Sequence, residues 1–327
     1  MNWNGDLMKI VQISSPTFVT PPIDYGGIQR EVYYLTNQLV EMGHEVILYG
    51  KKGSACKGKV IEYPEDCESL LSFVLETLPE GVDIIHDHKG FVAEAQLNIP
   101  TICTSHTTKA RKIPSPVYVS KAVLLEKAKG KGEFVHNGLN LDDYPFCRKK
   151  DNYLLFLGRI NENKGTHFAI EVSKETGIPL IIAGPVQQDG VEYFKEKVQP
   201  FIDNKLIRYV GPVGGEQKLN LIKKAKFVLF PITWFEPFGL VPIEAMACGT
   251  PAICFRKGGV VETMQGFPEL LCDTKKEMIK IIRKNKSPDP QKMRQYVEKH
   301  FSINMITRKY LKLYKRTIQT YEKWDKS

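Results

Sequence analysis

Along the chain, short runs of apolar and β-branched residues alternate with stretches whose apolar positions recur every three or four residues. Lys9-Ile-Val-Gln-Ile-Ser14 reads as a strand, and residues 28–42 as a helix with apolar side chains at 28, 32, 35, 39 and 42. Further strands are expected at 45–49, 83–86, 101–104, 117–119 and 133–136. A polar, proline-bearing stretch at 140–151 interrupts the pattern and reads as an interdomain linker. A second series of strands follows at 153–157, 180–183, 206–210, 227–230 and 251–254. Strands alternating with helical segments imply βαβ units and parallel sheets. The expectation is therefore an α/β chain of two tandem Rossmann-like domains, 1–145 and 146–300, ending in a helix over 301–327. In that helix Met305, Ile306, Tyr310, Leu313 and Tyr314 form one apolar face. Such sheets bind ligands beyond the carboxyl ends of their strands, so two facing sheets would place a ligand in the cleft between domains.

At 327 residues the chain exceeds the usual size of one hydrophobic core, and 42% apolar with 25% charged residues suits an ordinary globular protein. The longest apolar run, 227–235, falls well short of the roughly 20 residues that span a bilayer. The opening Met-Asn-Trp-Asn-Gly-Asp-Leu has no basic segment leading into an apolar one, so no signal peptide is expected. Seven scattered cysteines without a Cys-x-x-Cys spacing suggest a reducing compartment with neither a disulfide framework nor a zinc site, hence a cytoplasmic location. The net charge of +9 is concentrated at the end of the chain. Residues 275–327 hold 16 Lys and Arg against 5 Asp and Glu, leaving 30 against 32 for the remainder. A basic tail of this kind is a solvated helix face, a contact with an anionic membrane surface or a nucleic-acid contact; the first two are preferred and no nucleic-acid partner is expected.

Three glycine-bearing turns carry the candidate chemistry. Tyr25-Gly26-Gly27-Ile28 precedes the first long helix, where paired glycines let a backbone approach a phosphate, or simply supply a turn with positive φ. Neither a Gly-x-Gly-x-x-Gly nor a P-loop pattern is present, which weakens dehydrogenase and NTPase readings. Gly158-Arg-Ile-Asn-Glu-Asn-Lys-Gly165 follows a strand and sets Arg159 and Lys164 in a short loop, where two fixed cations could stabilise a departing diphosphate without a metal, or be merely solvated. In Trp234-Phe-Glu-Pro-Phe-Gly-Leu-Val-Pro-Ile-Glu-Ala-Met-Ala-Cys-Gly-Thr-Pro251, Glu236 falls in a loop at a strand's carboxyl end, and Glu244 in the first turns of the helix that Pro242 helps to start. Phe238, Gly239 and Leu240 between them can offer backbone N–H groups. His86-Asp87-His88 raises a metal site, but structural roles or acceptor contacts are preferred and no metal is expected.

These blocks, together with HNGLNLDDYPF at 136–146 and RKGGVVET at 256–263, resemble glycosyltransferase family 4, the group 1 retaining glycosyltransferases with the GT-B fold. The resemblance covers nearly the whole chain, and the Glu-x7-Glu block followed by EAMACGTP is its most specific part. It implies a hexosyltransferase-type enzyme that moves a sugar from a nucleotide-diphosphate sugar to a hydroxyl acceptor, with no cofactor and no catalytic metal. By the same resemblance Arg159 and Lys164 would grip the donor diphosphate, Glu236 would meet the donor sugar and Glu244 the nucleoside ribose. Phe238, Gly239 and Leu240 would line the sugar and phosphate with backbone, Gly27 would face them, and His106 in Thr104-Ser-His-Thr-Thr108 would stand near the reacting sugar. The final helix would cross back to the N-terminal domain. The short N-terminal domain departs from the family's common form and leaves the acceptor open. A nucleotide-sugar epimerase and a noncatalytic nucleotide-sugar sensor are the competing readings; the Glu-x7-Glu block argues against the first, and the intact cations and glutamates against the second. A phosphorylase-like enzyme would need a pyridoxal lysine and a far longer chain.

Overall fold

The computed structural model describes residues 7–23, 26–106, 113–114 and 116–325. Residues 1–6, on which the signal-peptide reading rests, lie outside these, as do Tyr25 of the first glycine turn and Thr107 and Thr108 beside His106. The chain divides into two units, one running to Leu139 and resuming at Ile303, the other spanning Asn140–Ser302. The 140–151 stretch, expected as a linker, thus lies within the second unit. It is held there by the Arg294 guanidinium, which donates to the carbonyls of Leu141 (2.8 Å), Ala247 (2.7 Å) and Tyr144.

The first unit contains strands β1 (Lys9–Ile13), β2 (Glu45–Gly50), β3 (Lys59–Glu62), β4 (Ile84–Asp87), β5 (Thr101–Ser105), β6 (Pro116–Tyr118) and β7 (Glu133–Phe134). Helices α1 (Gly27–Glu41), α2 (Leu70–Thr77), α3 (Phe91–Glu94) and α4 (Lys121–Ala128) connect them. All pairings are parallel in the order β3-β2-β1-β4-β5-β6-β7. Because side chains alternate across a strand, the two faces of this sheet feed two separate cores. Ile10, Val46, Ile84 and Ile102 pack with Leu35 and Leu39 of α1, while Val11, Ile47 and Ile85 pack with Val74 of α2 and Val92 of α3. Burial on both faces explains why these strands read as nearly continuous apolar runs. Strand β3 did not stand out in the sequence because its Lys-Val-Ile-Glu is a half-exposed edge.

The second unit contains β8 (Leu154–Leu157), β9 (Leu180–Ala183), β10 (Ile207–Tyr209), β11 (Phe227–Phe230), β12 (Ala252–Phe255) and the two-residue β13 (Leu271–Cys272). They pair in parallel in the order β10-β9-β8-β11-β12-β13. Its helices are α5 (Thr166–Thr176), α6 (Val191–Lys197), α7 (Gly215–Lys224), α8 (Leu240–Ala247), α9 (Val260–Thr263), α10 (Lys275–Lys284) and α11 (Pro290–Phe301).

The last helix, α12 (Ile303–Asp325), belongs to the first unit. Ile303, Ile306, Tyr310, Leu311, Leu313 and Tyr314 enter the core shared with β1 and α1. Lys309, Lys312 and Arg316 remain on the exposed face, where Arg316 pairs with Glu133 of β7 at 3.0 Å, whereas Arg308 and Lys315 are half-buried. Among the described residues no helix is long and apolar enough to cross a membrane.

Beside this helix, α1 buries Glu31. Both carboxyl oxygens lie within 3.0 Å of the Gly138 N–H, and Ile303 and Ile306 close over Gly138 so tightly that an added Cβ would fall 3.0–3.1 Å from them. Burial pushes the carboxyl up from 4.5 to about 8, and the Gly138 N–H offsets this only in part. The folded chain therefore holds a proton that the unfolded chain has lost, so this group's contribution to stability falls as pH rises from 4.5 towards 8. Glu31→Gln is expected to remove that slope. In thermal melts its Tm should decline less than wild type between about pH 5 and about pH 8, by a few degrees, since 1 kcal/mol moves the Tm of a unit this size by about 2–4 °C. Parallel Tm curves for the two proteins would refute the assignment.

Candidate active site

In the second sheet the chain runs from β8 outward to β9 and β10, then returns to place β11 on the other side of β8. Loops leaving the carboxyl ends of these two adjacent strands run to opposite sides of the sheet, which is where a doubly wound sheet leaves room for a ligand. Arg159 and Lys164 follow β8, and Glu236 follows β11.

Local structure places Lys164. A single 3-10 turn, Glu162–Lys164, is capped by Asn161, whose side chain accepts from the Lys164 N–H at 3.1 Å. Gly165 then turns the chain into α5 at φ 72°, and a Cβ there would sit 2.1 Å from the Pro231 carbonyl oxygen, so only glycine lets the β8 loop lie this close to the β11 loop. The Thr233 N–H donates to the Asn163 carbonyl at 2.9 Å and joins the two loops. Across this seam the Lys164 ammonium meets Glu236 Oε2 at 2.6 Å, and the same oxygen accepts from the Trp234 indole N–H at 3.0 Å. Lys164 also lies over the Trp234 ring at 5.2 Å and the Phe230 ring at 5.7 Å. With side chains only 11% and 14% exposed, the pair is more than a surface contact.

The Glu236 loop is shaped from behind by Gly258 and Gly259. At Gly258, φ is 56° and a Cβ would meet the Glu236 carbonyl oxygen at 2.2 Å; at Gly259 one would meet the Pro237 carbonyl oxygen at 2.3 Å. The Gly259 N–H donates to the Glu236 carbonyl at 2.8 Å. The Phe238 ring is buried against Phe301, with centroids 5.8 Å apart, so what residues 238–240 can offer a ligand is mainly backbone. Gly239, at φ 89°, is the N-cap of α8 and has no side chain to occupy that helix's first N–H groups.

Glu244 lies one turn into α8 and is only 4% exposed. Its Oε1 accepts from the Tyr144 hydroxyl at 2.9 Å and from the Lys218 ammonium of α7 at 2.6 Å. Arg159 is not part of either cluster; its Nη1 donates to Gln187 at 3.2 Å, and its buried Nε has no partner among the described residues. The second unit thus brings Lys164 and Glu236 together and gives Glu244 a cation of its own. Lys218 carries no sequence signal beyond an ordinary amphipathic helix, and Tyr144 stands in a quoted motif without a mark of its role.

In the first unit, Gly27 is the opening residue of α1 behind the N-cap Gly26. His106 follows β5, with its Nε2 3.0 Å from His88 Nδ1, and burial lowers its pKa to about 4. The His86-Asp87-His88 run splits by strand alternation. The two imidazole centroids lie 4.0 Å apart with the rings tilted by 33°, while Asp87 turns away and accepts from the N–H groups of Lys89, Gly90, Val92 and Ala93. The Asp87 carboxylate is thereby committed to the loop and helix start that follow β4.

A Cβ at Gly258 would collide with backbone, whereas Gly177, at φ 69°, faces open space. Gly177→Ala should therefore cost only its left-handed strain, about 1 kcal/mol, and Gly258→Ala at least about 1–3 kcal/mol more by displacing the Glu236 loop. Denaturant melts of the two variants check this, and equal losses would contradict the close approach.

Residues 145–300 match the family model described as glycosyl transferases group 1. Over 323 residues the chain is 25% identical to an uncharacterized glycosyltransferase of Methanocaldococcus jannaschii, covering 84% of this chain and 89% of that one. Among solved structures, AviGT4, a glycosyltransferase involved in avilamycin A biosynthesis, superposes with a TM-score of 0.82 at 25% identity over 95% of this chain and 98% of its own. Anabaena HepE, solved with UDP and glucose, superposes with a TM-score of 0.75 at 16% identity over 94% of this chain and 99% of its own. The second unit is thus similar to the group 1 glycosyl transferases over residues 145–300, and the two parallel-sheet units have the GT-B fold of these structures.

Proposed function

We propose that the protein transfers a sugar from a nucleotide-diphosphate sugar to a hydroxyl acceptor, with retention of anomeric configuration. The observation that carries this reading is the part-buried Lys164–Glu236 pair, 2.6 Å apart, in the loops leaving the two strands where the second sheet changes direction. In the transfer, the bond between the anomeric carbon and the diphosphate oxygen breaks and negative charge grows on the leaving diphosphate. Arg159 and Lys164 are the cations available to meet that charge. An ammonium has three donors, so Lys164 can keep Glu236 while reaching a phosphate oxygen. The uncapped first turn of α8 at Gly239 and Leu240 adds backbone N–H groups for the same anion.

Glu236, which meets Lys164 and Trp234 through Oε2, is suited to accept from sugar hydroxyls through Oε1. Glu244, held by Tyr144 and Lys218, is suited to a ribose hydroxyl pair. Charge on the leaving group is met by side chains and backbone, so this reading assigns no metal or cofactor. HepE was solved with UDP and glucose, and starch synthase IV of Arabidopsis thaliana with ADP and acarbose, which supports a nucleoside diphosphate as the common ligand. An epimerase would turn over a nucleotide sugar with no dependence on an acceptor. The reading is tested by incubating the protein with a panel of nucleotide sugars and hydroxyl acceptors. Acceptor-dependent release of nucleoside diphosphate and an unchanged anomeric coupling in the proton NMR spectrum are expected.

Arg159→Ala should lower kcat/KM by about 2–4 kcal/mol in transition-state terms while leaving Tm unchanged, since its Nη1 contact is exposed. Lys164→Ala should lose as much activity and also lose some stability, because the part-buried Glu236 is left without its cation. Near wild-type turnover in both variants would exclude the diphosphate role.

The two glutamates should separate in calorimetric titration with the free nucleoside diphosphate. Glu244→Ala is expected to weaken that binding by about tenfold or more, the loss of a charge-assisted hydrogen bond, while Glu236→Ala binds the nucleotide normally and fails in transfer. Equal losses in the two variants would refute the division.

A further inference from the structure

In the second sheet the parallel register sets Leu155 of β8, Ile181 of β9 and Arg208 of the edge strand β10 in one row on one face. The next residues, Phe156, Ile182 and Tyr209, point to the other face, where Phe194 of α6 packs on Tyr209 with ring centroids 5.0 Å apart. The Arg208 face is covered less completely. Between α7 and the margin of β9 and β10 runs a groove of about 570 Å³, open to solvent.

Gln217, Asn220, Leu221 and Lys224, spaced i, i+3, i+4 and i+7 along α7, form one wall of the groove. From Glu216 to Lys224 that wall is about 12 Å long, at 1.5 Å per residue. Ile181 and Arg208 line the strand side. Tyr153, the residue before β8, joins the two sides, because its hydroxyl donates to the Leu221 carbonyl at 2.7 Å and so fixes the ring. Arg208, Glu216, Gln217 and Lys224 are exposed, so a ligand reaches them directly from solvent.

The lining has two chemical halves. Tyr153, Ile181 and Leu221 supply apolar surface, while Arg208, Glu216, Gln217 and Asn220 end in planar groups that set two donors, two acceptors or one of each side by side. Arg208 and Lys224 stand against the Glu216 carboxylate and two amides, so the groove does not gather charge of one sign as a phosphate or nucleic-acid site does. A neutral saccharide answers both halves. Its ring faces are apolar C–H surface suited to an aromatic ring, and its neighbouring hydroxyls pair with planar two-point groups.

We propose that this groove is a second carbohydrate site, which holds a neutral oligosaccharide with a ring face on Tyr153 and hydroxyls on Arg208, Gln217 and Asn220. It is separate from the loops of Arg159, Lys164 and Glu236. Those follow the carboxyl ends of β8 and β11, whereas Tyr153 precedes β8 and α7 precedes β11. The site therefore takes saccharide without nucleotide. For an enzyme that acts on saccharide chains, such retention raises the effective concentration of the chain at the protein.

Isothermal titration of the full-length protein with maltotetraose, cellotetraose and mannotetraose tests the site. The wild type should bind at least one of them saturably. The double variant Arg208→Ala/Asn220→Ala should keep the wild-type Tm and bind at least about tenfold more weakly, the loss of two hydrogen bonds, one of them to a charged group. Tyr153→Ala should weaken binding as well, and the double variant decides the matter if Tyr153→Ala does not fold. Glu236→Ala should bind the saccharide as the wild type does. Absence of wild-type binding to all three, or unchanged affinity in the double variant, overturns the site. Loss of binding in Glu236→Ala would move the saccharide to the donor loops and overturns it too. Self-association in sedimentation that the double variant abolishes would give the groove to a second copy of the chain and overturn the saccharide assignment. No nucleotide sugar enters the titration, so a failure of the transferase reading would leave these outcomes intact.

Discussion

The bond between Lys164 and Glu236 is the contact on which the second unit's loops depend. Each residue leaves the carboxyl end of a different strand, and nothing in either loop's own sequence requires it to face the other. At 2.6 Å, with little exposure, the pair has lost most of its hydration and must be held by geometry. Asn161 fixes the lysine's turn, the Trp234 indole takes up the same carboxylate oxygen, and Gly165 removes the Cβ that would keep the loops apart. If either charge is lost, the other is stranded, which is why the arrangement serves both as a structural seam and as a charged site.

Glycine supplies the room that this seam needs. Gly258 and Gly259 approach the carbonyls of Glu236 and Pro237 more closely than any side chain allows, and one N–H from that cradle holds the Glu236 carbonyl. The carboxylate is therefore aimed by backbone contacts from a segment more than 20 residues away in sequence. Glu244 is aimed differently, by a helix and by two side-chain donors, Tyr144 and Lys218. Two carboxylates eight residues apart thus have different neighbours and different freedom, which suits them to different parts of one ligand.

The first unit solves another problem, that of polar groups inside a sheet buried on both faces. Gln12, His86 and Thr104 would each be costly among isoleucines. Tyr310 and Tyr314 from α12 offset that cost by giving each of them a hydrogen-bond partner. The two tyrosines fill the same face as Ile306 and Leu313, so the helix that closes the apolar core also completes the polar one.

Much of this was legible in the order of residues. Nearly continuous apolar runs announce the parallel strands, and apolar positions recurring every 3.6 residues announce their covering helices, because burial of a strand on both faces leaves little choice of residue. Charges just past a strand are legible too, and Arg159, Lys164 and Glu236 were placed beyond the carboxyl ends of β8 and β11 in this way. The weak edge strand β3 and the two-residue β13 were not, because exposed or very short strands carry no periodic signal. What only the tertiary structure decided is pairing. No spacing says that Lys218 belongs to Glu244, that Gln12 and Tyr314, 302 residues apart, share a hydrogen bond, or that the 140–151 segment is anchored by Arg294. Local sequence sets what each segment can become, whereas a contact between distant residues depends on strand order and helix docking, which are properties of the whole fold.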